Sequence, residues 1–206
     1  MIIKTLYIVR HGQTDLNKQG IVQGRGRNTD LNEEGLKQAA LFYKAYKNVP
    51  FDKIYISELK RTQQSIQGFI DKGIPYEKLS GLDELAWGIY EGQPSTPETK
   101  AAFLKLLRSW MDGDLDVKFD GGESPNEVRL RQIDALQHIM SHTEESEVLI
   151  CMHGRAMRLF LCLLTGLPLT EMESFPHQNL VLYKVAYNGD KFEIIDFNNA
   201  AHLKTD

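Results

Sequence analysis

Apolar positions along this chain gather in short continuous runs and in helically spaced stripes that alternate with one another, a pattern that predicts an α/β fold. Residues 2–9 form the first run, a strand of buried type that stops at Arg10, His11 and Gly12. Residues 15–30 are mostly polar, rich in Gly, Asn and Gln, and read as a loop. Asn32 followed by Glu33 and Glu34 is a helix start, a capping side chain with acids in the first turn. Leu36, Ala39, Ala40, Tyr43 and Tyr46 recur behind it at helical spacing, until Asn48-Val49-Pro50 ends the helix. Residues 51–56 are a second strand. Ser57 follows in the position of a helix cap, and Leu59, Ile66, Phe69 and Ile70 give the next helix its apolar stripe.

The second half repeats the alternation. A short strand at 76–79 precedes a helix at 98–111, which carries Ala102, Phe103, Leu106, Leu107 and Trp110 at its apolar positions. Residues 112–122 are acidic and read as a flexible excursion over the site, and Glu123-Ser124 opens a helix with Val128, Ile133, Leu136 and Ile139 on one face. Residues 148–152 are a strand, and after His153-Gly154 a helix covers 156–164. Strands at 180–186 and 192–197 flank Asn188-Gly189, a strong hairpin signal, and a polar tail follows from Asn198. The expected architecture is a three-layer αβα sandwich with a mostly parallel central sheet and one antiparallel edge strand, built from a single domain over residues 1–206.

Composition narrows the function. With 206 residues, 42% hydrophobic and 25% charged, the chain is long enough for one substantial core. A net charge of −4 supplies no global field for nucleic acid or an anionic membrane. No apolar run approaches the ~20 residues of a membrane span. The expected partner is therefore a small molecule, not a nucleic acid or a membrane, and the expected compartment is the cytoplasm, because the amino terminus enters a strand almost at once. Oligomeric state leaves no mark in the sequence. Cys151 and Cys162 both lie in apolar surroundings and suit reduced, buried thiols.

Candidate chemistry sits at two strand ends. In an open α/β sheet ligands bind at the carboxyl edge; there Arg10 offers a planar fork for phosphate oxygens and His11 a nucleophile beside the captured anion. His153 ends another strand, and the helix that follows at once aims backbone N–H groups around Gly154 and Arg155 toward an anion. Arg61 falls in the first turn of a helix, where a cation opposes the dipole, and local violations of this kind gather at functional sites. Asp83, Glu84 and Glu91 are three acids among aromatics and glycines that composition does not rank.

Arg10-His11-Gly12-Gln13-Thr14 after an apolar strand resembles the signature of the histidine phosphatase superfamily, which includes the cofactor-dependent phosphoglycerate mutases. The resemblance continues through Gln23-Gly24 and residues 30–35, where Asp30-Leu31-Asn32 replaces the usual Pro-Leu-Thr. It continues again through Ser57-Glu58-Leu59-Lys60-Arg61, through residues 82–92 with Tyr90 in place of Trp, and through Gly121 to Ser124. It implies His11 as nucleophile, Arg10 and Arg61 as phosphate clamps assisted by Asn17 and Gly154, and Gln23 and Gly24 on the substrate side. It also implies Glu84 as proton donor, with Asp83 the nearest competitor, and His153 as a cation stabilising transition-state charge. The Gly12 carbonyl is a candidate to fix the His11 tautomer, whereas Glu91 and Glu123 are expected to brace turns. Neither a metal nor a cofactor is called for.

Family mutases carry an adjacent arginine pair after the Glu-Gly block, and residues 93–122 here contain Arg108 alone. The implied activity is thus a phosphoric monoester hydrolase of the histidine acid phosphatase type, acting through phosphohistidine on a small phosphomonoester such as a sugar or nucleotide-loop phosphate, ribazole phosphate among them. Mutase-type phosphoryl transfer is the alternative. A catalytically silent ligand-binding or partner-binding relative is the second, and the intact set Arg10, His11, Arg61, Glu84 and His153 speaks against it. Specificity is assigned to Arg25 to Arg27, Trp87, Tyr90 and residues 112–122.

Overall fold

The computed structural model describes residues 2–204. Its elements in chain order are β1 (Lys4–Arg10), α1 (Asp15–Lys18), α2 (Glu33–Tyr46), β2 (Lys53–Ile56), α3 (Lys60–Ser65), α4 (Gln67–Asp71) and β3 (Tyr76–Lys78). There follow α5 (Pro97–Met111), α6 (Pro125–Ser141), β4 (Glu147–Met152), α7 (Gly154–Thr165), β5 (Leu182–Tyr187) and β6 (Phe192–Asn199). The six strands form one sheet in the order β3-β2-β4-β1-β5-β6. β1, β2, β3 and β4 run parallel, whereas β5 is antiparallel to both β1 and β6.

Because successive side chains of a strand point to opposite faces, the continuous apolar runs divide between two cores. Leu6, Ile8, Val148, Ile150 and Met152 face α7, Trp87 and Trp110, while Tyr7, Val9, Leu149 and Cys151 face Phe42, Phe51 and Phe69. The expected three layers follow directly. Register then decides where chemistry collects: Arg10 pairs with Met152 and Ile56 with Cys151, so β1, β4 and β2 end at one level. β5 runs the other way, Val9 opposite Leu182, and so it begins where β1 ends.

Several local expectations change. Residues 15–30 contain the one-turn α1, closed by a reciprocal capping box between Thr14 and Asn17. In α2, Asn32 caps Gly35 N–H as expected, but the buried line runs through Gly35 and Phe42, and Leu36 is 54% exposed. The cause is close approach: a side chain at Gly35 would collide with the Gln13 carbonyl, so the helix meets the signature loop along that line and turns Leu36 outward. Ser57 does not cap α3, whose N-cap residue Leu59 makes no side-chain bond, and the helical run breaks at Ile66. Residues 112–122 are tied down, with Leu115, Val117 and Phe119 against the core and Trp110 Nε1 donating to Val117 O at 2.7 Å. The polar tail is partly packed too, since His202 lies against Phe42 and Tyr46; residues 205 and 206 fall outside the described part.

Cys151 and Cys162 are free and buried, and burial pushes the Cys162 thiol up to about 12. No helix among the described residues is long and apolar enough to cross a membrane.

Candidate active site

The two strand-end histidines lie beside each other, ring centroids 5.1 Å apart and planes tilted by 57°, both removed from solvent. His11 Nδ1 lies 2.7 Å from Gly12 O. A carbonyl only accepts, so Nδ1 carries the hydrogen and Nε2 keeps its lone pair. Burial, then the charges of Arg61 and Arg10, hold this imidazole well below its ordinary pKa, and it stays neutral at neutral pH. The surrounding backbone is fixed from two sides: Gly12 N–H donates to Ser65 Oγ at 2.8 Å, and Asn179 Nδ2 donates to His11 O at 3.0 Å.

His153 departs from expectation. Arg61 Nε donates to its Nδ1 at 3.2 Å, which leaves Nε2–H to donate to Ser57 Oγ at 2.7 Å. A ring that accepts at one nitrogen and donates at the other is neutral, not cationic. Burial, followed by the charges of Arg61, His11 and Arg10, likewise depresses its pKa. Ser57 Oγ is therefore the partner of His153, and it also accepts from Leu59 N–H at 3.2 Å and pairs with Thr62 Oγ1 at 3.0 Å.

Arg61 is fully buried at the first turn of α3 and is oriented by Arg27 O at 2.6 Å and Gly24 O at 3.3 Å. Arg10 donates from Nη1 to His177 Nδ1 at 3.1 Å, and its Nε is buried without a protein partner. Burial lowers both guanidinium groups to about 10. A buried donor without an acceptor is expensive, and an anion is the ligand that would satisfy it.

Of the two adjacent acids, only Glu84 joins this group. Its carboxylate accepts N–H bonds from Leu85 and Ala156, both at 2.9 Å, and from Arg155 at 3.2 Å, and it is the acid whose charge bears most on Arg10 and Arg61. Asp83 turns away to Glu58 N–H and Arg25. The amino end of α7 thus serves an anion, as its position suggested, but two of its donors hold Glu84; Gly154 N–H, at the first helical position, has no acceptor within the helix. Arg131 fixes the same loop from behind through Gly81 O, Asp83 O and Glu84 O, while pairing with Glu123. Glu91 braces Trp87 N–H at 3.0 Å.

The remaining candidates divide. Asn17 Oδ1 accepts from Thr14 N–H and from Asn179 Nδ2, which leaves its NH₂ for a ligand. Gln23 is bonded at both ends, to Thr14 and Thr29, so it braces the loop where the sequence suggested a substrate contact. Gly24 contributes its carbonyl to Arg61. Trp87 does not face substrate either: it is 7% exposed and stacked on Trp110 in the core. Tyr90 lines a groove of about 640 Å³ with Lys18, Val22, Lys100 and Phe103. Sequence reasoning missed Ser65, His177 and Asn179. A signal for the last two existed, because a polar cluster just before a strand that pairs antiparallel with β1 must abut the carboxyl end of β1. Among the described residues, the His/Glu group close enough to share a metal ion is His142, Glu144 and Glu145, at the opposite end of β4 from His153.

Residues 6–200 match the family described as histidine phosphatase superfamily, branch 1. The chain belongs to the histidine phosphatase superfamily. A Hydrogenobacter thermophilus relative named "Putative phosphoserine phosphatase 2" is 27% identical over 98% of each chain. A Yersinia pestis relative named "Probable phosphoglycerate mutase GpmB" is 30% identical over 88% of this chain and 84% of its own. Among solved structures, Bacillus stearothermophilus YhfR superposes with a TM-score of 0.85 at 24% identity, over 98% of this chain and all of that one, and so shares the superfamily fold.

Proposed function

We propose that this superfamily member hydrolyses small phosphomonoesters through a phosphohistidine intermediate. The observation that carries the reading is the state of His11, a neutral imidazole locked by Gly12 O with Nε2 free, beside the fully buried Arg61 and beside Arg10, whose Nε is buried. His11 Nε2 attacks phosphorus in line, the P–O bond to the leaving group breaks, and Glu84 delivers a proton to the departing alkoxide. Water then attacks the phosphohistidine, Glu84 takes its proton, and inorganic phosphate leaves with His11 restored. Arg10 and Arg61 hold the equatorial oxygens, where most of the stabilisation of phosphoryl transfer is found. Asn17 NH₂ and Gly154 N–H are further donors. His153 donates no charge of its own and keeps Arg61 in place through Nδ1.

Hydrolysis is preferred to mutase chemistry because residues 93–122 lack an arginine pair to retain a phosphorylated acid. The likeness to the GpmB-named relative favours mutase transfer as the second reading. The test is a panel of phosphomonoesters that includes 3-phosphoglycerate isomerisation, run with wild type and His11→Ala. Wild type is expected to release phosphate and to carry acid-labile, base-stable label after brief mixing with labelled substrate, and His11→Ala to do neither. Retention of more than a few per cent of activity in that variant removes His11 as nucleophile.

A further inference from the structure

The strand-end and helix-start arginines of the site, Arg10 and Arg61, differ from four others in the partners that orient them. Arg25 meets Asp83 and Glu123, Arg131 meets Glu123, and Arg155 and Arg158 share Glu173, so each has a carboxylate in contact. Arg61 donates to Gly24 O, Arg27 O and His153 Nδ1, and Arg10 to His177 Nδ1. Among the described residues neither Arg10 nor Arg61 has a salt-bridge partner. Uncharged acceptors fix these two forks and leave their charge for an incoming anion.

We propose that His177 is a positioning residue for Arg10: its imidazole accepts one guanidinium N–H and so orients the fork without neutralising it. The proposal rests on the phosphatase reading for its functional meaning. A carboxylate in the same place would orient Arg10 equally well but would compete with the phosphoryl group for its charge. His177 is built into place. Pro176 O accepts from Tyr183 Oη at 2.6 Å, and Asn179 Nδ2 reaches His11 O, so the short segment before β5 is anchored on both sides of the ring. The ring packs on Gly154, where a Cβ would stand 2.8 Å from His177 Cε1 and 3.3 Å from Arg10 Nε. Burial, with the charges of Arg10, Arg158 and Arg155, holds this imidazole down to about 3, so its Nδ1 lone pair remains available to Arg10 at any working pH.

Three variants separate orientation from packing. His177→Ala removes the acceptor, His177→Asn restores an uncharged acceptor at similar reach, and His177→Asp adds charge to it. The readouts are KM and kcat with p-nitrophenyl phosphate, the dissociation constant of inorganic phosphate by calorimetry, and the melting temperature. A hydrogen bond to a charged group contributes about 1.5–3 kcal/mol, so the alanine variant should bind phosphate roughly 10-fold to 100-fold more weakly. Asparagine should recover binding to within about threefold of wild type by restoring that bond, and aspartate should bind more weakly than asparagine at equal melting temperature. Alanine binding phosphate as wild type does, or asparagine and aspartate weakening in step with their melting temperatures, overturns the proposal. Wild type that hydrolyses no phosphomonoester defeats the phosphatase reading instead, and the calorimetric series still decides whether His177 orients Arg10 toward phosphate.

Discussion

Mild acid should destabilise this protein before its carboxylates begin to titrate. His11, His153 and His177 all have folded-state pKa values depressed by burial and by neighbouring arginines. In the unfolded chain they return to about 6.5. Below that pH the unfolded state binds more protons, so their contribution is complete above about 6.5 and is lost as pH falls toward the folded values. Each such proton corresponds to about 1.4 kcal/mol per pH unit, or about 2 kcal/mol between pH 6.5 and 5.0, and three imidazoles together to at most about 6 kcal/mol. Against a usual total of about 5–15 kcal/mol, that loss is easily measured. His202, depressed by burial, adds in the same direction from outside the site. The depressed carboxyls of Asp52, Glu123, Glu127 and Glu173 lose their contributions below the ordinary carboxylate range, outside this window. Urea unfolding at pH 7.5, 6.5, 5.5 and 5.0 gives proton uptake as the slope of stability against pH. His177→Asn should remove about one proton from that slope. Saturating sulfate, a dianion that does not titrate in this range, should flatten it further by supporting protonated imidazoles in the site while leaving His202 alone. A flat profile between pH 6.5 and 5.0, or a slope indifferent to sulfate, would refute the account of three neutral buried histidines.

Two further substitutions test other parts of the site. Glu84→Gln should lower kcat/KM, which reports the phosphorylation step alone, by roughly 10²–10⁴ on an alkyl phosphate, the usual worth of general acid help, but much less on p-nitrophenyl phosphate, whose phenolate departs without a proton. Equal losses on both substrates would remove Glu84 as proton donor. Gly24→Ala should reduce stability by about 1–3 kcal/mol, typical of overpacking, and raise KM. Its Cβ would collide with the Glu91 carboxylate and approach Leu85 O to 2.6 Å, moving the carbonyl that orients Arg61. An unchanged melting temperature and KM would show that this packing is slack.

The parts of the molecule legible in sequence are those whose cause is local. Asn32 ahead of two acids marked the start of α2 and Asn188-Gly189 marked the β5–β6 turn, because capping and hairpin formation depend on a few adjacent residues. Arg10-His11 and His153 were readable as strand ends for the same reason. Choosing Glu84 over Asp83 was not local. It needed the family resemblance; in the structure the two carboxylates have different partners, Glu84 the α7 amino end and Asp83 Arg25.

What stayed hidden was the layer of uncharged partners around the charged groups. Ser57 looked like a helix cap because a serine after a strand commonly is one, and beyond its local bonds to Leu59 N–H and Thr62 Oγ1 its hydroxyl meets His153, 96 positions later. His177 and Arg10 are 167 positions apart and meet because β5 enters the sheet antiparallel to β1. Even the charge on His153 reversed for this reason. A histidine beside a phosphate site is naturally read as a cation, but once Arg61 donates to its Nδ1, a further positive charge in a buried space would break a hydrogen bond and repel two arginines. The positive charge of the site is therefore concentrated on the guanidinium groups, and the imidazoles are neutral, His11 with Nε2 free and His153 and His177 as acceptors for Arg61 and Arg10. That division of labour follows from the desolvation of the pocket, which strand-end motifs alone do not reveal.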